Sequence, residues 1–122
     1  MNKERRKQIE EAKKVVSLVI SDLEDSKEPT VLELCKTRLN AVKDDIDSIG
    51  DAEQEYADNM PEGLQGSDKH SEAESSAEAL QEAEDLCQEV LEKLDETDND
   101  DRFEEAESLC NDINDKLDEA AL

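Results

Sequence analysis

The segment Thr30 to Met60 reads TVLELCKTRLNAVKDDIDSIGDAEQEYADNM, and its repeat determines the architecture. Apolar residues recur in alternating steps of three and four, which places them on one face of a helix about 30 residues long. Glu53 is the one charged residue that breaks this repeat. The seam consists of Leu32, Cys35, Leu39, Val42, Ile46, Ile49, Glu53, Tyr56 and Met60.

The start of this helix is also indicated by the sequence. Thr30 followed by Glu33 matches a capping box, in which each side chain satisfies a backbone donor at the helix start. Pro29 disfavours a helical conformation for the residue before it and ends the preceding segment. These features predict a helix over 30–60.

Three further segments carry the same repeat and predict helices over 3–26, 71–96 and 101–121. Ser71 and Glu74 form a second capping box. The principal loop is predicted over 61–70, which contains one proline and two glycines, and a shorter turn over 98–101. The apolar seams are Ile9, Ala12, Val16, Val19 and Leu23 in the first, Ala73, Ala77, Leu80, Glu84, Cys87, Leu91 and Leu94 in the third, and Phe103, Ala106, Cys110, Ile113, Leu117 and Ala120 in the fourth.

The fold class that follows is all-α, with residues 1–122 as a single helical domain. Short links favour antiparallel hairpins, and four such helices form an elongated four-helix bundle in up-down-up-down order. Long helices with narrow seams are equally compatible with a coiled-coil-like dimer.

Composition alone does not guarantee a folded chain. Leu, Ile, Val and Phe number 25 of 122 residues, and the net charge is -23, close to the composition of disordered proteins. The regular spacing of those apolar residues predicts that they are buried. Cys35, Cys87 and Cys110 all fall on seams, so we interpret them as free thiols that pack as small apolar side chains, and we expect Tyr56 and Phe103 in the core.

Charge is segregated along the chain. Residues 1–43 hold ten basic and eight acidic residues, whereas residues 44–122 hold four basic and 29 acidic ones. Opposite the seams, acids recur in steps of three and four, and Asp44, Asp47, Asp51, Glu55 and Asp58 extend the pattern to the second helix. The candidate partner-binding residues are Glu78, Glu82, Asp85, Glu89 and Glu92 on the third helix and Asp101, Glu105, Asp112 and Asp115 on the fourth.

The density of this charge approaches that of a nucleic acid. From Ser71 to Leu122 there are 20 acidic and three basic residues, on two helices expected to lie side by side over about 39 Å. That corresponds to about one negative charge per 2.3 Å, against about one per 1.7 Å of axis in duplex DNA. We therefore expect a field that suits a basic groove made for nucleic acid. The competing interpretation is a solvated face that keeps the protein soluble.

Residues 53–67, EQEYADNMPEGLQGS, resemble a segment of small acidic helical proteins encoded by bacteriophages and prophages. The resemblance covers about Asp51 to Glu96 and implies a helical hairpin whose loop follows the Asp-Asn-Met-Pro-Glu motif. This chain differs by carrying Gly63 where a polar residue is usual and by adding helices at both ends. The resemblance implies a phage or mobile-element context and no particular reaction.

Catalysis is not expected. The single histidine, His70, has no nucleophile placed near it, and the carboxylates lie on exposed faces where their pKa values stay ordinary. The turn from Asp95 to Asp101 lacks the glycine and the terminal glutamate of a calcium loop, so neither a metal nor another cofactor is predicted. Nucleic acid is an unfavourable direct partner for so negative a chain.

Two functions follow. The first is a phage-type inhibitor, cytoplasmic in the host cell, that binds a basic nucleic-acid-handling protein such as a component of antiviral immunity and mimics nucleic-acid charge. The second is a structural adaptor whose helices oligomerise, for example as a homodimer, through their seams.

No run long enough for a membrane helix or signal peptide is present. A contact through the loop Asn59–Leu64 is a third possibility, although a structural turn is the favoured interpretation of this loop. The basic start of the chain is expected to pair with acids elsewhere in the protein or its dimer.

Overall fold

The computed structural model describes residues 1–25, 28–96 and 101–122. Within those ranges the chain forms four α-helices: α1 (Lys3–Asp25), α2 (Pro29–Asp58), α3 (Asp68–Asp95) and α4 (Arg102–Ala120). One 3₁₀ turn, Glu62–Leu64, lies in the connection between α2 and α3. The predicted all-α fold class is confirmed.

The four helices form an antiparallel bundle. Each helix packs against two neighbours, because α1 contacts α2 and α4 while α3 contacts the same two helices from the opposite corner. Side-chain pairs fix the antiparallel order: Arg5 meets Glu53 at one end of α1 and α2, and Asp22 meets Arg38 at the other. Lys36 on α2 likewise lies 2.6 Å from Asp95 on α3.

The apolar seams meet in one core that runs the length of the bundle, as the spacing predicts. All three thiols are buried in it, and Phe103 joins it. On α3 the buried face is wider than predicted and is centred one residue earlier, because this helix packs closely on both neighbours. The side chains Ser76, Ala79, Ala83 and Val90 are therefore buried, whereas Ala77 and Glu84 lie at its edge.

Both capping-box predictions are wrong. Residue 28 has an extended backbone, with φ of -68° and ψ of 144°, and Pro29 opens α2, so Thr30 lies inside the helix. A proline tolerates the first helical position because its missing N–H would have no helical partner there. Helix α3 begins one turn before Ser71, since the Ser67 hydroxyl accepts a hydrogen bond from the His70 backbone N–H at 3.3 Å. With α2 ending at Asp58, the connection spans 59–67 and not the predicted 61–70.

Two residues of the α2 seam behave differently from the prediction. Tyr56 is not in the core but 45% exposed, and its place in the packing is taken by Ala57, which is fully buried. Glu53 does not interrupt the buried face; its side chain is completely enclosed because Arg5 supplies a counter-charge from α1.

The remaining helix limits differ from the prediction by small amounts. Helix α2 ends at Asp58, two residues before Met60, and the Asn59 backbone N–H donates to the Glu55 carbonyl at 2.9 Å. The predicted end of the first helix at residue 26 lies outside the described residues, as does the 98–100 part of the predicted turn. Asp101 directly precedes α4, and its carbonyl accepts from the Glu105 N–H at 3.0 Å. None of the helices in the described ranges has the length and apolarity needed to cross a membrane.

Candidate acidic partner-binding surface

The outer face of α3 carries the first of two acidic rows. We call Glu78, Glu82, Asp85, Glu89 and Glu92 the α3 row. Because these positions lie opposite the buried seam of a 28-residue helix, they point outward along an element about 42 Å long. Four of the five side chains are exposed, as the sequence predicts. Glu82 is the exception, since it turns towards α4 and is partly buried.

The second row, which we call the α4 row, consists of Asp101 directly before α4 and of Glu105, Asp112 and Asp115 within it. Asp101, Asp112 and Asp115 are exposed, whereas Glu105 is partly buried against α3. Ser108 occupies the position between Glu105 and Asp112, so the row is interrupted once, as the sequence indicates. Seven of the nine predicted residues therefore have exposed side chains on two neighbouring helices.

Two lysines join the rows across the contact between α3 and α4. Lys116 Nζ lies 2.7 Å from Glu82 Oε2, and Lys93 Nζ lies 3.1 Å from Glu105 Oε2. The hydrogen bonds to these carboxylates raise the pKa of both lysines above its ordinary value. Glu82 and Glu105 thus help to hold the two helices in register, and the other seven acids have exposed side chains.

The acids of α2 form a third exposed group on the other side of α3. Asp44, Asp47, Asp51, Glu55 and Asp58 all have exposed side chains. Glu84 of α3 faces Asp47 across the helix contact; burial, then the charge of Asp47 and a hydrogen bond to it, raise the pKa of Glu84. The carboxyl groups of Glu84 and Asp47 therefore lie close together, where their like charges repel each other.

Part of the basic start of the chain is used inside the protein. Arg5 pairs with buried Glu53, Lys13 pairs with Asp118 of α4, and Arg6 Nε donates to the Ala121 carbonyl at 3.1 Å. The expectation that these basic groups pair with acids elsewhere in the chain is confirmed for Arg5 and Lys13. As a result they anchor α1 to its neighbours and do not neutralise the rows on α3 and α4.

The only histidine of the sequence has a local role in the structure. His70 lies in the first turn of α3, and its Nε2 is 3.1 Å from Glu74 Oε1 one turn further along the helix. Its imidazole is largely buried, with 12% of the side chain exposed. Among residues 1–25, 28–96 and 101–122, no group of three or more His, Cys, Asp and Glu side chains is arranged to hold a metal ion.

The end of the bundle where α2 turns into α3 forms an open groove that sequence reasoning placed only in part. Its volume is about 850 Å³, and its apolar lining comes from Tyr56, Met60, Pro61 and Leu64. The sequence allows a contact at Asn59–Leu64 but favours a structural turn there, and it predicts Tyr56 in the core. Helical spacing alone does not decide whether Tyr56 or Ala57 is buried. Ala57 lies one position later, and its side chain is small enough to be enclosed.

The chain matches no protein family, no curated protein and no solved structure. The arrangement of its own side chains is therefore the basis for assigning a function.

Proposed function

We propose that this protein binds a basic, nucleic-acid-handling host protein and inhibits it by presenting carboxylates in place of phosphates. The observation that carries the proposal is the pair of outer rows on α3 and α4. Their exposed acids are fixed on a folded scaffold, and the intervening lysines are held in the contact between the helices.

The electrostatic reason is that a groove built for nucleic acid responds to the density and position of negative charge. Like charges three or four residues apart on one helix face repel each other and cost a few tenths of a kcal/mol per pair. The bundle tolerates this cost in three helices. Placing such charges against a basic groove relieves the repulsion and adds favourable complementary interactions, which speed association and help to set specificity.

The phage context implied by residues 53–67 supports the same proposal, since a small acidic inhibitor of host defence has a function in such an element. The protein would act in the cytoplasm of the host cell, where the proposed partner handles nucleic acid. No covalent chemistry is required, because occupying the groove is sufficient to exclude the substrate.

The adaptor function receives less support. It requires the apolar seams to meet between chains, yet the seams of all four described helices are already buried within one chain. Oligomerisation would need another surface.

The test is capture from a bacterial lysate treated with nuclease, using the immobilised full chain. We expect a basic nucleic-acid-handling protein to be retained and then released by added duplex DNA or RNA. A variant with Glu78, Asp85, Glu89 and Glu92 changed to lysine should capture none of it. Glu82 is left unchanged because it pairs with Lys116. Charge mimicry would be contradicted if the protein stayed bound in the presence of added nucleic acid, or if the lysine variant captured it as well.

A further inference from the structure

The groove between the end of α2 and the start of α3 groups several exposed apolar side chains at one end of the bundle. Tyr56 is 45% exposed and Leu64 is 51% exposed, and they face the same open space together with Met60 and Pro61. Its volume of about 850 Å³ lies in the range of sites that enclose a bulky side chain or a small ligand.

The groove walls are held by specific contacts. The guanidinium carbon of Arg5 lies 5.8 Å from the centre of the Tyr56 ring, and Arg5 is itself fixed by its ion pair with buried Glu53. On the loop side, Gln65 Nε2 donates to the Met60 carbonyl at 2.9 Å, and the Leu64 N–H donates to the Pro61 carbonyl at 2.8 Å. Both walls are therefore tied to the bundle end.

Charge around the groove indicates which kind of partner it fits. Residues 51–68 contain six acidic and no basic residues, and Glu55 and Asp68 line the groove directly. Arg5 also lines it, but its charge is balanced by Glu53. Because Glu53 is one of those six acids, residues 51–69 together with Arg5 hold six acidic and two basic residues, which leaves a net charge of -4.

We infer that this groove receives one bulky apolar side chain from a basic segment of the partner protein. This inference rests on the proposed function and adds a second contact to it. The exposed acids of α2 run along that helix to Glu55 at the groove, so lysines or arginines of the segment pair with carboxylates while its apolar side chain packs against Tyr56 and Leu64.

Two short peptides test the inference on the full chain. One is Lys-Lys-Trp-Lys-Lys and the other is Lys-Lys-Ala-Lys-Lys, both with blocked ends, and their affinities are measured by calorimetry at low salt. We expect the tryptophan peptide to bind about 10-fold more tightly, which corresponds to ~1.4 kcal/mol. The chain contains no tryptophan, so a blue shift of the peptide's own fluorescence reports insertion directly.

Matched leucine variants locate the effect. Leu64→Ser should reduce the 10-fold preference to less than about two-fold. Leu34→Ser, at a residue 45% exposed near the start of α2, should preserve it. Equal preferences in the two variants, or no preference in the unaltered chain, would overturn the inference. Neutralising the α3 row separates the two proposals, because it should leave the tryptophan preference unchanged while it weakens capture of the partner from lysate. A lost preference with row-dependent capture refutes the groove alone, whereas a retained preference with capture that does not depend on the row refutes charge recognition by the row.

Discussion

The guanidinium of Arg5 pairs with the carboxylate of Glu53, whose side chain is completely buried, and joins the start of α1 to the last turns of α2. Nearby, the Ser76 hydroxyl donates to the Ala120 carbonyl at 2.8 Å and links α3 to α4. These polar contacts lie at the bundle end that also carries the groove. A buried polar contact favours one register of the helices, because any shift would leave a charge or a hydroxyl without its partner.

Removing one member of the buried pair should destabilise the fold strongly. In Arg5→Met the Glu53 carboxylate loses its counter-charge, and we expect the free energy of unfolding to fall by about 3 kcal/mol. The double variant Arg5→Met with Glu53→Leu should recover most of that loss. Arg38→Met is the control: its pair with Asp22 is 31% exposed on each side and should cost less than about 1 kcal/mol. Urea denaturation followed by circular dichroism measures all of these, and equal losses in the two single arginine variants would refute the role of burial.

Glu84 should make the free energy of unfolding depend on pH at values above the ordinary pKa of a glutamate. Burial and then Asp47 raise the pKa of Glu84 above 4.5, so the folded chain holds this proton more tightly than the unfolded chain does. The stabilisation that protonated Glu84 contributes is complete below the unfolded pKa and is lost as the pH rises through the folded pKa.

Glu84→Gln should therefore raise the free energy of unfolding at pH 7 by less than about 1 kcal/mol and flatten its pH dependence above 4.5. Denaturation at a series of pH values measures both effects. The control Glu89→Gln removes the same charge from an exposed position of the same helix. If both variants changed the pH profile alike, net charge and not the Asp47 contact would be responsible.

The three thiols should resist alkylation while the chain is folded. Burial raises the pKa of Cys87 and of Cys110 to about 12 and also raises the pKa of Cys35. At pH 8 about one thiol in ten thousand at Cys87 or Cys110 is then a thiolate, the reactive form. We expect iodoacetamide to modify the native protein at least ~100-fold more slowly than the urea-unfolded protein, as followed by mass spectrometry. Rapid labelling of the native chain would show that the seams are not closed.

Light scattering distinguishes the bundle from the adaptor alternative. Because the seams are buried within one chain, we expect a monomer of 13.7 kDa both at low salt and at 1 M salt. Apolar association between chains would instead persist or strengthen at 1 M, where the Debye length is about 3 Å and surface charges are screened. A concentration-dependent dimer at high salt would favour the adaptor.

The sequence predicts the helices well because each helix can be recognised from the regular spacing of its own apolar residues. It predicts their ends less well. Thr30 with Glu33, and Ser71 with Glu74, match a capping pattern, but Pro29 and Ser67 provide starts that let each helix begin earlier. Local motifs compete, and each helix uses the earlier of the two possible starts.

The candidate surface was predictable for the same reason as the helices, since an outward row is the complement of a buried seam. The ion pairs within this surface could not be predicted from the sequence. The alignment of α3 and α4 decides whether Glu82 and Glu105 project outward or bind lysines of the neighbouring helix. The spacing of apolar residues does not specify that alignment. Glu53 likewise looks like a defect in the seam until Arg5 is placed beside it.

The central claim is that the position of carboxylates, and not net charge alone, recognises the partner. The most direct measurement compares two variants by calorimetry against the protein captured from lysate. One changes Glu78, Glu89 and Glu92 to glutamine and Asp85 to asparagine. The other changes Glu4, Glu11 and Glu24 to glutamine and Asp25 to asparagine. Each removes four exposed negative charges from the same -23. We predict that the α3 variant binds about 100-fold more weakly, ~0.7 kcal/mol per carboxylate, while the α1 variant binds as the unaltered chain does. Equal affinities of the two variants would contradict the account.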